Sequence, residues 1–207
     1  MRPRLFLTLV SIALLFSACS EAPKQVAQKA PEPPPEPVSG NSAFFRMYSA
    51  ARGWAGDLQP LRLTSIHLPE VKSVPGKAAA WQATFISPQK QRARSYTYSV
   101  VESTGNLHKG VFALNEEGWS GRGPVGPFLI PGLKIDSDAA YDTAVKKGKK
   151  AAEYMKANPD KNVSFLLELN KKYPDLTWRV IWGESVGTSN YSVFVDATTG
   201  EYLETMR

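Results

Sequence analysis

Residues 177–204 read TWRVIWGESVGTSNYSVFVDATTGEYLE, and this stretch decides the predicted fold. Large side chains fall at every second position in two runs, which are separated by a segment rich in Gly, Ser and Asn. The positions that share one face are Trp178, Val180, Trp182, Tyr191, Val193 and Val195. Alternation with a period of two, bounded by turn residues, is typical of antiparallel strands. The stretch therefore predicts a meander of three short strands, the last at Tyr202 and Leu203.

A similar pattern occurs earlier in the chain. Residues 81–86 alternate like residues 178–182, and residues 96–100 alternate like residues 191–195. A separation of about 95 residues is too long for a solenoid repeat, and two copies are too few for an array. We interpret the pattern as a duplicated unit. The alternative is that any two hairpins rich in Tyr and Val look alike.

Helical periodicity adds helices to both units. An apolar residue at every third or fourth position predicts a helix over residues 42–54 and a longer one over residues 136–157. Asp136 or Ser137 can cap the first turn of the longer helix. A shorter helix is predicted over residues 163–172, before the second meander begins.

The predicted fold class is α+β, with helices packed on small antiparallel sheets in two pseudo-repeated units. The first unit covers residues 42–114 and includes a further strand near residues 58–68. The second covers residues 136–207, and the Gly- and Pro-rich residues 115–135 connect the two. The residues expected to be largely buried in the two sheets are Trp81, Trp178 and Trp182.

The N-terminus predicts a lipid anchor. Residues 1–19 read MRPRLFLTLVSIALLFSAC, with two arginines, an apolar run too short to span a bilayer as a mature helix, and small residues before Cys19. This ending resembles the bacterial lipobox. We predict that residues 1–18 are a signal peptide and that Cys19, the only cysteine in the chain, is acylated. The alternative is an ordinary secretory peptide with a chance cysteine.

Residues 19–41 are predicted to hold the lipid anchor and a linker. Five prolines occur in residues 31–37, PEPPPEP, which favours an extended polyproline II spacer. A proline-rich ligand for a groove-type module is an alternative role. The predicted location is the periplasmic face of the cell envelope. Ser20 after Cys19 resembles the outer-membrane sorting signal of enterobacterial lipoproteins.

The sequence offers little chemistry for catalysis. His67 and His108, the only histidines, stand in no metal-ligand spacing, so we predict no metal and no cofactor. Glu102 and Asp196 each precede a Thr-Gly turn, where a carboxylate accepts hydrogen bonds from nearby backbone N–H groups. No G-x-S-x-G elbow and no phosphate-binding glycine loop is present. We therefore predict a protein that is not an enzyme and has no catalytic residue.

Charge argues against a nucleic-acid partner. The formal charge of +6 is moderate for 207 residues and is far below that of a dedicated nucleic-acid-binding protein. A basic run at Lys146, Lys147, Lys149 and Lys150 is interpreted as a solvated helix face. The alternative is contact with anionic lipid headgroups or with an acidic partner, worth about 1 kcal/mol per lysine at such a surface.

The second half of the chain resembles the PepSY domain. The resemblance covers residues 138–204, in which a helix is followed by strands that close on residues 191–203, YSVFVDATTGEYL. Residues 43–112 resemble it more loosely, with Glu102 in the place of the closing Asp. The family is a helix lying across a small antiparallel sheet in secreted or membrane-anchored bacterial proteins. The resemblance implies a non-catalytic module that restrains peptidases or mediates protein contacts in the envelope.

From these features we expect a non-enzymatic, membrane-anchored envelope lipoprotein that binds protein or peptide partners through PepSY-like units. A peptidase is one candidate partner. The alternative is a small periplasmic hydrolase or ligand-binding enzyme, with a site of Ser, His and acid assembled between the two halves. The third hypothesis is that the protein is a purely structural spacer. A deep pocket with a convergent histidine favours the enzyme, whereas a shallow apolar groove or an open sheet edge favours binding.

Overall fold

The computed structural model describes residues 33–207, so the predicted signal peptide and Cys19 lie outside the described residues. The strands are β1 (Val38–Ser39), β2 (Gln59–Ile66), β3 (Lys77–Ala78), β4 (Ala80–Ser87), β5 (Arg92–Ser99), β6 (Gly110–Gly118), β7 (Val125–Gly126), β8 (Val163–Asn170), β9 (Thr177–Trp182), β10 (Ser192–Asp196) and β11 (Tyr202–Met206). The helices are α1 (Gly40–Ala51), α2 (Ser137–Lys147) and α3 (Ala151–Ala157), with a 3-10 turn at Ile130–Gly132.

Across the described residues, one antiparallel sheet of nine strands dominates the fold. Its order is β11-β10-β9-β8-β2-β4-β5-β6, and the short β7 pairs with the end of β8. At its centre β2 pairs with β8, which aligns Leu63 with Leu167 and Thr64 with Leu166. Separately, β1 pairs with β3. Residues 34–207 pack as one compact unit.

The predicted fold class, helices on two small sheets, is wrong. The pairing of β2 with β8 joins the two meanders edge to edge, so one large sheet replaces two small PepSY-like ones. Helices are a minor part of the described chain, with three short segments against eleven strands. The physical reason is that two separate meanders would leave the backbone groups at the edges of β2 and β8 unpaired.

The helix predicted over residues 163–172 is also wrong, because this segment is strand β8. Phe165 and Leu167 lie in the main core, and Leu166, which faces the other side of the sheet, is only 8% exposed. A short apolar run that is buried on both sides has no period of two, and periodicity alone cannot separate it from a buried helix.

The helix predicted over residues 136–157 is interrupted between α2 and α3. Gly148 lies so close to β10 that an added Cβ would be 2.9 Å from Val193 Cγ2, and 2.5 Å from the carbonyl oxygen of Ala144. Lys150 then adopts a left-handed conformation with φ of 58°. Close packing on the sheet therefore turns the chain where the sequence pattern predicts one continuous helix.

The two halves of the sheet repeat one arrangement. In each half a helical segment precedes four consecutive strands of the large sheet, β2-β4-β5-β6 and β8-β9-β10-β11. The register that pairs Trp81 with Tyr98 also pairs Trp178 with Val195. Tyr98 therefore corresponds to Val195. The sequence match, which aligned residues 96–100 with residues 191–195, had implied Val193.

The helices and the main core lie on one face of the sheet. The core is rich in aromatic residues, and its largest fully buried side chains include Trp81, Trp178, Trp182, Tyr191, Phe44, Phe85 and Phe165. The predicted burial of the three tryptophans is thus confirmed. No helix within residues 33–207 is long and apolar enough to cross a membrane.

The N-termini of α1 and α2 meet at the junction of the two halves. The N–H of Gly40 donates to Ser137 Oγ at 2.7 Å, and the N–H of Asn41 donates to Asp136 Oδ1 at 2.9 Å. The same Asp136 oxygen accepts from the N–H of Ser137 at 2.6 Å. One carboxylate therefore caps both helices, where each leaves N–H groups without a partner inside the helix.

Candidate functional site

The large sheet ends at two outer strands, and they differ in how open they are. At one end, β6 is nine residues long, and no strand in the described part of the chain pairs with its outer edge. At the other end, β11 has five residues, and its Thr205 Oγ1 accepts a hydrogen bond from the N–H of Lys149 at 3.0 Å. The α2–α3 turn therefore contacts β11, whereas β6 offers a longer row of backbone groups for pairing.

The side chains of β6 fall into an apolar part and an acidic part. Val111 and Phe112, near its start, are 37% and 36% exposed. The Phe112 ring lies against the ring of His108, with 4.5 Å between their centroids. Glu116 and Glu117, near its end, are exposed. An occupant of this edge would therefore meet apolar surface first and two carboxylates further along.

The position of β6 is held by contacts on its inner side. Arg94 Nε donates to the carbonyl oxygen of Leu114 at 2.8 Å, next to a register shift between β5 and β6. Trp54 lies just after α1, and its Nε1 donates to Glu116 Oε1 at 2.7 Å. The inner edge is thus tied to both β5 and the α1 end, which keeps the strand extended.

A cavity of about 690 Å³ lies between the two halves, and His67 lines it. The residues around it come from the loop after β2, from α2, and from the loops before β8 and after β9. The charged and aromatic residues that line it are His67, Lys72, Tyr141, Asp160, Lys161 and Glu184. The site combines groups from both halves, as the predicted alternative of a hydrolase requires.

Both ring nitrogens of His67 lie next to serine hydroxyls. Ser164 Oγ is 2.9 Å from Nε2, and Ser73 Oγ is 3.2 Å from Nδ1. Ser164 donates its one hydroxyl proton to the carbonyl oxygen of Gly183 at 2.5 Å, so it can only accept from His67. His67 Nε2 therefore carries the proton, and Nδ1 accepts from the hydroxyl of Ser73.

The environment keeps His67 neutral. Burial lowers the pKa of His67 below its ordinary value of 6.5, and the nearby charge of Glu184 opposes this shift. Within residues 33–207 no carboxylate is hydrogen-bonded to the ring, and Glu184 instead accepts from Asn162 Nδ2 at 2.8 Å. The arrangement has a base beside a hydroxyl but not the third, acidic group of a triad.

Asp196 has the turn role predicted for it, whereas Glu102 bonds across its loop to residues 108 and 109. Asp196 Oδ1 accepts from the N–H groups of Thr198 and Thr199 at 2.7 and 2.8 Å. Glu102 accepts from the N–H of Lys109 at 3.0 Å and contacts His108 Nδ1 at 2.5 Å. These two hydrogen bonds lower the pKa of the Glu102 carboxyl. The two carboxylates lie in different halves and form no pair.

The basic run lies at the end of α2 and in the turn that follows. Its four lysines are exposed, and Lys146 Nζ lies 3.8 Å from Asp142 Oδ2. No group of three or more His, Cys, Asp or Glu side chains that could hold a metal ion occurs among the described residues. Cys19, the predicted lipidation site, lies outside them.

Sequence reasoning missed two features of these sites. Nothing in the sequence indicates that Ser164 meets His67, because 97 residues separate them. Ser73 follows His67 by six residues, and a turn bridged by Leu68 and Val71 brings it back to the ring. The openness of β6 was missed as well, since the identity of an edge strand depends on which strands pair elsewhere. A signal was present only in the run Val111-Phe112, two large apolar residues in succession on a strand.

Comparisons with models of known protein families, with curated proteins and with solved structures found no match to this chain.

Proposed function

We propose that the protein is a non-enzymatic, lipid-anchored protein of the cell envelope that binds an extended segment of a partner protein. The single observation that carries the binding role is the nine-residue outer strand β6, unpaired in the described chain, with Val111 and Phe112 exposed. An extended peptide that adds to a sheet edge gains main-chain hydrogen bonds, and its side chains meet pockets at alternate positions.

The side chains of β6 determine which partner sequence we expect to bind. Apolar residues of the bound segment pack beside Val111 and Phe112, and basic residues lie near Glu116 and Glu117. In an antiparallel addition the basic residues come at the N-terminal end of the segment. Complementary charge contributes chiefly to the choice of partner and to the rate of association.

The location rests on the N-terminal sequence. An acylated Cys19 would hold the protein at the membrane, because membrane affinity grows with each buried CH₂ and more than one chain anchors stably. The sequence of residues 138–204 resembles PepSY domains, which makes a peptidase one candidate partner, although the fold does not contain their separate small sheet.

The experiment uses a defined peptide, KKTVTVTV, and its acidic counterpart, EETVTVTV. We expect the basic peptide to bind at least about tenfold more tightly, measured by fluorescence anisotropy at low ionic strength. The double variant Val111→Glu/Phe112→Glu should lose at least about tenfold in affinity, because two buried apolar contacts become charged.

The matched control changes the other outer strand. Leu203 and Met206 of β11 are 36% and 38% exposed, close to the values for Val111 and Phe112. The double variant Leu203→Glu/Met206→Glu should bind the basic peptide as the unchanged protein does. Equal losses in the two double variants, or no preference between the two peptides, would contradict binding at β6.

A second candidate function, a small hydrolase, is favoured by the His67–Ser73 pair beside the cavity of about 690 Å³. In that reading, neutral His67 Nδ1 would take the proton of the Ser73 hydroxyl as the oxygen attacks an ester or amide carbonyl. We rank it second because no acidic group of the described chain is bonded to the ring.

A further inference from the structure

A groove of about 630 Å³ lies where β7 pairs with the end of β8, and Trp119, the residue after the end of β6, lines it. Its lining is rich in aromatic, proline and glycine residues. The residues that give it its chemistry are Trp119, Arg122, Lys171 and Tyr173, with Pro124, Pro127 and Pro174 between them. Nothing in the proposed β6 site uses these residues.

Backbone pairing holds both walls of the groove. On one wall, the N–H of Trp119 donates to the carbonyl oxygen of Gln91 at 3.0 Å. On the other, the N–H of Lys171 donates to the carbonyl oxygen of Pro124 at 3.2 Å. Val125 also pairs with Asn170, which connects the two walls. The groove is therefore a built feature of the β7–β8 junction.

The aromatic side chains are also held. Tyr173 donates its hydroxyl to Glu204 Oε2 at 2.6 Å, and its ring lies 5.1 Å from the ring of Phe194. The Trp119 ring lies over Gly121, where an added Cβ would be 3.6 Å from the ring. Rigid aromatic rings lose little conformational entropy when they bind a ligand, which makes them suitable as contact surfaces.

Aromatic-lined grooves bind polyproline II segments, because that helix is already extended and stiff before it binds. The exposed cations Arg122 and Lys171 favour a segment that also carries carboxylates. Residues 31–37 of this chain, PEPPPEP, match both requirements. Glu32 and Glu36 would lie about 12 Å apart along such a helix, at about 3.1 Å per residue.

We propose that this groove binds the proline-rich segment, residues 31–37, of a second copy of the chain. The described residues of that segment in the same copy are not seated in a groove, because Pro34, Pro35 and Glu36 are exposed. The chain that follows is held elsewhere, since Val38 pairs with Ala78 and accepts from Trp81 Nε1 at 3.0 Å. The described residues 33–36 are therefore exposed for contact with a neighbouring copy.

The test uses charge reversal on the two sides of the contact. One variant carries Arg122→Glu and Lys171→Glu in the groove, and the other carries Glu32→Lys and Glu36→Lys in the proline-rich segment. Both are made as residues 20–207 without the lipid, since residues 34–207 pack as one unit with its own core. Sedimentation velocity over a range of concentrations measures self-association.

We expect the unchanged chain to self-associate, and each variant alone to do so at least about tenfold more weakly, a loss of about 1.4 kcal/mol. An equimolar mixture of the two variants should associate again, because the reversed groove of one copy matches the reversed segment of the other. The variant Trp119→Ala should weaken association without any change in charge.

Three results would overturn the proposal. The first is an unchanged chain that stays monomeric at every concentration. The second is self-association that neither variant weakens. The third is a mixture no more associated than the separate variants, which would mean that the segment does not bind across copies. Circular dichroism of each variant, matching that of the unchanged chain, excludes misfolding as the cause of a loss.

Discussion

Trp81 and Trp178 meet edge to face at the junction of the two halves, with ring centroids 6.4 Å apart and ring planes at 72°. Each indole N–H donates to a backbone carbonyl just before a helix, Trp81 to Val38 at 3.0 Å and Trp178 to Ile135 at 2.8 Å. The two contacts repeat at a separation of 97 residues, the same as that between Gly40 and Ser137. Each tryptophan thus connects its strand to the start of its own helix.

The first prediction concerns this tryptophan pair. Trp178→Ala should lower the free energy of unfolding by about 3–5 kcal/mol, because it removes a fully buried ring and leaves a cavity. Urea denaturation followed by fluorescence of the remaining tryptophans measures the change. Leu129→Ala is the control, since Leu129 is 80% exposed, and it should change stability little. A loss for Trp178→Ala no larger than for the control would contradict the packing described here.

Asp136 should contribute more to stability than an ordinary helix cap, because it accepts hydrogen bonds at the start of both α1 and α2. Asp136→Ala should cost about 2 kcal/mol, roughly twice the loss of one N-cap. The control is Asp138→Ala, since among the described residues the exposed Asp138 accepts from the N–H of Ala139 next to it and from no residue of α1. Thermal unfolding of the two variants compares them, and equal losses would argue against a shared cap.

The stability of the protein should depend on pH through His67. Burial lowers the pKa of His67 in the folded state below 6.5, the ordinary value expected in the unfolded chain. The folded state therefore binds the proton less readily than the unfolded state. The contribution of His67 to the free energy of unfolding is fully present above pH 6.5 and is lost as pH falls through the folded pKa. The glutamine of a His67→Gln variant does not titrate in this range.

Urea midpoints at pH 7.5 and pH 5.0 measure this effect. We expect the unchanged protein to lose more stability over this interval than His67→Gln does, because the carboxylates contribute equally to both. His108→Gln is the control, since His108 is hydrogen-bonded at the surface to the exposed Glu102. The hypothesis fails if the unchanged protein and His67→Gln have parallel pH profiles.

The lipid anchor is testable by fractionation. Cys19→Ala removes the only thiol in the chain, so the protein should move from the membrane to the soluble periplasmic fraction. Ser17→Ala, which keeps the thiol and a small residue before it, should stay with the membrane. Membrane retention of the Cys19→Ala protein after a high-salt wash would contradict an acyl anchor.

Enzyme assays separate the two candidate functions. We expect no turnover of broad esterase, peptidase and glycosidase substrates by residues 20–207. The double variant His67→Ala/His108→Ala and the single variant Ser73→Ala accompany the unchanged chain. Turnover that these variants lose would place an active site at the cavity lined by His67 and overturn the binding role as the main function.

Local features of the structure could be predicted from the sequence where the cause is local. The strands over residues 178–182 and 192–196 follow from alternation of side chains on two faces, and the Asp196 turn follows from a carboxylate within reach of the next N–H groups. The burial of Trp178 follows from the same alternation. These features depend on residues that are neighbours in the chain.

Tertiary structure alone decided that the halves share one sheet, that β8 is a strand, and that β6 is the longer of the two outer strands in the described part of the chain. Strand pairing uses backbone N–H and C=O groups, which nearly every residue carries. No side-chain pattern therefore predicts that Leu63 will lie opposite Leu167. The apolar run around Phe165 suits a buried helix or a buried strand equally well, and the unpaired edge of β2 selects the strand. The contact of His67 with Ser164 arises for the same reason, because the β2–β8 pairing brings together residues that the chain keeps far apart.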